Sequence, residues 1–147
     1  MKQSRIIFLY DHFYPDFTAG GPITALGNLC KLVRGRLDFS IVTSNVEYKT
    51  KQVLPSITPN TWLTWQDMPV YYASSVFHAT RVVLLFGGGT NTTLYLNGIF
   101  SWRYFLIPLL CAWIKRYEVI ISPRGTLQSG ALARHSLKKQ IYLKLLR

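Results

Sequence analysis

Residues 5–43, RIIFLYDHFYPDFTAGGPITALGNLCKLVRGRLDFSIVT, decide how the chain folds. After Arg5 the run to Tyr10 is apolar without a break, as a parallel strand buried on both faces requires. Pro15 and Gly20-Gly21 interrupt the pattern. Pro22 then stands where a first helical turn accepts it, because that N–H would have no partner anyway. Ile23, Leu26, Leu29, Cys30 and Val33 follow at helical spacing, Lys31 and Arg34 sit near the negative end of the dipole, and Gly35 supplies the stop. A helix over 22–34 is predicted. Phe39 to Thr43 is a second strand, completing a strand, glycine loop, helix, strand unit.

Outward from this unit the alternation continues. Residues 44–68, with Pro55, Pro59 and two tryptophans, read as a long loop, and Pro69 to Tyr72 as a third strand. Ser75 to Phe86 is ambiguous by composition, but a parallel crossover needs a dozen or more residues, which favours a helix ended by Gly87-Gly88-Gly89. In that position the triplet has the wrong polarity to bind an anion. Thr93 to Leu96 and Glu118 to Ser122 are further strands, and a last helix opens at Ser129 with Ala133, Leu137, Ile141 and Leu145 on one face. The apolar stretch 99–114 is broken by Arg103 and Pro108 and is shorter than the roughly 20 residues of a membrane span, so a buried or interfacial helix is expected and a spanning one is the weaker alternative. The fold class predicted is α/β, a Rossmann-like, doubly wound, mostly parallel sheet.

The chain has 147 residues, 49% of them hydrophobic and 16% charged, which excludes intrinsic disorder and suits one domain over 1–147. Cys30 and Cys111 lack any C-x-x-C spacing, so they read as small core hydrophobes of a protein in a reducing cytoplasm; the opening run is too short for an export signal. Lys and Arg total 17 against 6 acids, a net +11, and from Arg124 to Arg147 six cations meet no carboxylate. Such an excess draws polyanions: an anionic membrane surface facing Arg134, Lys138 and Lys139, or a phosphorylated substrate. A solvated helix face gives the same pattern. Nucleic acid is disfavoured, since no zinc-finger, RNP or helix-turn-helix signature accompanies the charge.

In a sheet of this kind ligands bind beyond the carboxyl ends of the strands, which singles out loops 11–21, 44–68, 97–101 and 123–128. Gly20 and Gly21 open a helix, so bare amides and the positive dipole end can approach a phosphate; a turn made only to enter the helix is the plain alternative. The spacing matches neither G-x-G-x-x-G nor a G-K-[ST] loop. His12 can hydrogen-bond a sugar or act as a base, Asp16 and Asn97 lie on the same set of loops, and Arg124 sets a guanidinium at a strand end. The three histidines are scattered and no metal site is expected; a G-x-S-x-G elbow is also missing, against a hydrolase.

Taken in order, Phe13-Tyr14-Pro15-Asp16 with Ala19-Gly20-Gly21-Pro22, then Tyr95-Leu96-Asn97-Gly98-Ile99-Phe100-Ser101, then Ile121-Ser122-Pro123-Arg124-Gly125-Thr126-Leu127 with Gly130-Ala131-Leu132-Ala133 and Lys138-Lys139, resemble the amino-terminal domain of family 4 glycosyltransferases of the GT-B type. The resemblance covers nearly the whole chain. It implies retaining transfer of a sugar from a nucleotide diphosphate sugar, with no obligatory metal and no other cofactor, to a saccharide or lipid-linked acceptor of polysaccharide or lipopolysaccharide synthesis. It also implies that Gly20 and Gly21 face the donor diphosphate, that His12, Asp16, Asn97 and Arg124 line the acceptor cleft, and that the protein docks on the inner face of the cell membrane. The family's carboxyl-terminal domain holds the nucleotide and an E-x7-E glutamate pair, whereas this chain has only Glu47 and Glu118. The expectation is therefore an acceptor-side half, incomplete at its carboxyl end and inactive alone, completed by a separate donor-binding chain or cut by truncation. The competing reading is a non-catalytic basic module that binds anionic membrane or a partner protein.

Overall fold

The computed structural model describes residues 4–86 and 91–124, with the side chain of Phe86 excepted. Six strands form one sheet: β1 (Arg5–Leu9), β2 (Asp38–Ser44), β3 (Trp62–Trp65), β4 (Met68–Ala73), β5 (Thr92–Asn97) and β6 (Glu118–Ser122). Their order is β3-β4-β2-β1-β5-β6, parallel throughout except at the β3 edge. Helix α1 (Gly21–Val33) joins β1 to β2, α2 (Val76–Phe86) joins β4 to β5, and α3 (Ile107–Lys115) joins β5 to β6. This is the Rossmann-like α/β architecture expected from the alternation of elements.

The strand period of two sorts the core into two layers. Phe8, Phe39, Ile41, Val70 and Tyr72 pack on the α1 side with Ile23, Leu26 and Cys30. Ile7, Leu9, Val42, Leu94 and Leu96 pack on the other side, with Val82 and Val83 of α2 and Cys111 and Ala112 of α3. With side chains buried on both faces, β1 has to be apolar at successive positions, which is why its sequence reads as a continuous run. Both cysteines are buried, and burial pushes the Cys30 thiol up to about 12, as a core hydrophobe requires.

Two segments differ from the sequence reading. Residues 44–68 were expected to be all loop, yet Trp62–Trp65 pairs antiparallel with β4 through a two-residue turn in which Gln66 and Asp67 have φ of 47° and 61°. That is hairpin-turn geometry without the glycine that normally announces it, and Arg34 holds the turn by donating from Nη1 to the Gln66 carbonyl at 2.8 Å and to Asp67 Oδ2 at 3.2 Å. The stretch 99–114 is not one uniform helix. A π-helical turn, Trp102–Leu106, runs into α3, and Pro108, which lacks an N–H and crowds the carbonyl one turn back, stands just after the widened turn. No helix among the described residues is long and apolar enough to cross a membrane. The glycine triplet at 87–89, the helix expected from Ser129, and Arg134, Lys138 and Lys139 lie outside the described residues.

Candidate functional site

β1 has a parallel neighbour on each side, reached through α1 on one face and, in the case of β5, through α2 on the other. The winding therefore reverses between β1 and β5, and the loops leaving their carboxyl ends must part there. A hollow of about 690 Å³ opens at this point, lined by residues 10–12 after β1, by the segment 44–51 after β2, and by the segment 98–104 after β5. Its size suits a small-molecule ligand.

Asp11 and His12 come from the loop after the central strand. Ser101 Oγ donates to Asp11 Oδ1 at 2.8 Å while accepting from the Tyr104 N–H at 3.0 Å, so one hydroxyl both caps the π-helical turn and fixes the carboxylate. Burial raises the pKa of Asp11 from its ordinary value, with the Ser101 bond opposing the shift. Tyr104, buried beside it, has its phenol raised for the same chief reason.

His12 Nδ1 lies 3.1 Å from Asp16 Oδ2 and 3.2 Å from the Val46 carbonyl. Asp16 is 1% exposed and both its oxygens accept: Oδ2 from the Tyr48 N–H at 2.8 Å, and Oδ1 from the Thr18 N–H at 3.2 Å and the Thr18 hydroxyl at 2.6 Å. Both neighbours of Nδ1 only accept, so Nδ1–H donates toward them and the orientation of the ring is fixed. Asp16 thus sits behind the hollow as a positioning group, joining loop 11–20 to loop 44–51. Its local signal, Asp-Phe-Thr closing an Asx turn, is visible in the sequence; its tie to Tyr48 is not.

Tyr48 packs edge-on to His12 with ring centroids 5.2 Å apart, and Lys51 Nζ lies 4.7 Å over the Tyr48 ring. On the opposite wall the Arg103 guanidinium lies 5.3 Å over the Trp102 ring. Ser101, Tyr48, Lys51, Trp102 and Arg103 are site residues that pattern reading missed, because a short hairpin, closed by the Val46–Val53 bridge, and the π-helical turn bring them in from opposite sides.

Asn97 and Arg124 lie together at the adjoining strand ends. Arg124 Nε donates to Asn97 Oδ1 at 3.0 Å, and buried Asn97 reaches the Leu9 carbonyl from Nδ2 at 3.5 Å, a chain of contacts across β6, β5 and β1. Gly20 and Gly21 are exposed at the head of α1, outside the lining of the hollow; Gly20 has φ of 73°, which a side chain would strain, and open space surrounds both. No cluster of three metal-ligating side chains occurs among the described residues. A second hollow of about 630 Å³, between α3 and β6, is walled by Leu109, Leu110, Trp113, Tyr117 and Val119 and offers little polar chemistry.

Comparison of the chain with protein-family models, with curated proteins and with solved structures finds no match in any of the three.

Proposed function

We propose that the chain is the acceptor-binding half of a retaining glycosyltransferase, which moves a sugar from a nucleotide diphosphate sugar to a saccharide or lipid-linked acceptor. The observation that carries this reading is the composition of the hollow at the winding reversal. It combines a fixed carboxylate, Asp11, and the anchored imidazole of His12 with the aromatic walls Tyr48 and Trp102. Sugars present hydroxyl donors at their edges and C–H faces that lie against aromatic rings, so such a set matches both. The loop Asn97 to Ser101, one of the segments that resemble the family, supplies Gly98, Phe100 and Ser101 to the same walls.

In this reading the His12 imidazole hydrogen-bonds one acceptor hydroxyl, Asp11 orients a second one, and Gly20 and Gly21 offer amides at the head of α1 to the donor diphosphate. Arg124, held by Asn97, adds positive charge nearby. The glutamate pair of the family is not within this chain. Glu47 accepts from the Thr50 hydroxyl and Glu118 from the Thr93 hydroxyl at 3.2 Å, on separate elements. The donor half then lies outside these 147 residues, on a further stretch of the same protein or on a separate chain, and the complete enzyme works at the cytoplasmic face of the membrane.

The test is saturation-transfer NMR on the 147-residue chain with a panel of neutral and charged mono- and disaccharides, together with turnover assays on nucleotide sugars. Saccharide binding that His12→Ala weakens, without turnover, is expected. Absence of any saccharide binding overturns the acceptor reading, and turnover at an enzymatic rate overturns the half-enzyme reading.

A second reading, a basic module that docks on anionic membrane without catalysis, is favoured by one observation. Helix α3 exposes Leu110, Trp113 and Ile114, with Lys115 and Arg116 at its end. Release from anionic vesicles as salt rises, with no saccharide bound, would favour it.

A further inference from the structure

We propose that the saccharide taken by the hollow carries an anionic group, a phosphate or a carboxylate, held at the rim between Lys51 and Arg103. This inference rests on the acceptor reading and narrows its substrate class. β2 and β5 flank β1, so the loops that follow them set Lys51 and Arg103 on either side of the Asp11–His12 floor. Each cation lies over an aromatic ring of its own wall. Neither has a carboxylate at ion-pair distance: the ion pairs among the described residues are Arg5–Asp38, His12–Asp16 and Arg34–Asp67.

The neighbouring acids are otherwise engaged, Asp11 by Ser101, Asp16 by Thr18, Tyr48 and His12, and Glu47 by Thr50. Lys51 is also held in a left-handed backbone conformation, φ 59°, inside the hairpin closed by Glu47 N–H to the Gln52 carbonyl at 2.9 Å. A non-glycine residue in that region is strained, and such strain is kept only where surrounding structure imposes it. The lining therefore sets two cations against the one carboxylate of Asp11. A neutral sugar would leave the two cations facing only the Asp11 carboxylate, whereas a phosphate or carboxylate gives the guanidinium a forked partner and the ammonium a point charge. The Asp11 carboxylate repels that group, so the charged end points to the rim and the ring hydroxyls to the floor.

Chemical-shift titration of the full chain with glucose, glucose 6-phosphate, glucuronate and inorganic phosphate, at low and high salt, tests this. At low salt the two charged sugars are expected to bind about 10-fold or more tightly than glucose, an advantage that shrinks as salt rises. Lys51→Ala and Arg103→Ala should each cut that ratio severalfold, and the pair of sugars reveals whether phosphate or carboxylate is preferred. Equal affinity for glucose and both charged sugars overturns the inference and leaves the acceptor reading standing. Binding of inorganic phosphate as tight as that of glucose 6-phosphate also overturns it, since the sugar would then contribute nothing. Failure of every sugar to bind removes the acceptor reading itself. Both substituted residues are exposed, and an unchanged amide spectrum verifies that each variant is folded.

Discussion

Ser101 Oγ donates to Asp11 Oδ1 at 2.8 Å, a bond between residues 90 positions apart that joins the loop after β5 to the loop after β1. Burial raises the pKa of Asp11, so folding disfavours its charged form; that cost is in force at neutral pH and disappears as acid protonates the carboxyl. Asp11→Asn keeps an acceptor for Ser101 without the charge. The variant is expected to melt above the unmodified chain at pH 7, with the difference closing on acidification. Thermal unfolding across that pH range checks it, and a variant less stable at pH 7 would contradict it.

Gly27 lies within α1, where a helix normally gains about 0.5–1 kcal/mol from alanine in place of glycine. Here an added Cβ would stand 2.7 Å from Tyr14 Cε2. The Tyr14 ring is stacked on Trp65 at 5.7 Å between centroids, and its carbonyl accepts from the Tyr72 hydroxyl, so the ring has little room to withdraw. Overpacking of this kind costs about 1–3 kcal/mol and outweighs the helix gain. Gly27→Ala should be net destabilising in urea, and Tyr14→Ala in the same chain should relieve the clash.

Asp16 satisfies four groups at once: the Thr18 amide and hydroxyl, the Tyr48 amide and His12. Asp16→Ala leaves buried donors unpaired and is expected to cost about 1.5–3 kcal/mol. It should also free the His12 ring, visible as a change in its side-chain nitrogen resonances. Unchanged resonances would show that the Val46 carbonyl alone fixes the imidazole.

Trp113 is 82% exposed on α3. Trp113→Ser should change stability by less than about 0.5 kcal/mol, as surface replacements do, while lowering retention on anionic vesicles if α3 is the docking face. Sedimentation with vesicles separates the two effects.

The strand, helix, strand opening was legible because burial on both faces of β1 and a proline at the start of α1 leave plain marks in sequence. β3 was not, since Gln66-Asp67 makes a hairpin turn without glycine and leans on Arg34 from another element. Of the site, the loops were foreseeable from the position of the strands, and His12 stands on one of them. Tyr48, Lys51 and Arg103 were beyond reach, because no local spacing says that a hairpin and a π-helical turn face each other across a third loop. Asp16 reads in the sequence as a cleft residue, and the structure buries it to 1% exposure against the His12 imidazole.

Placement of the hollow over β1 has one more consequence. Its two walls belong to opposite wings of the sheet, β2 with β4 on one side and β5 with β6 on the other. A guest seated across the floor would clasp the wings together, so occupancy should slow amide exchange in both at once and lift the cooperativity of unfolding. The seam where the chain reverses its winding would then serve as its fastening.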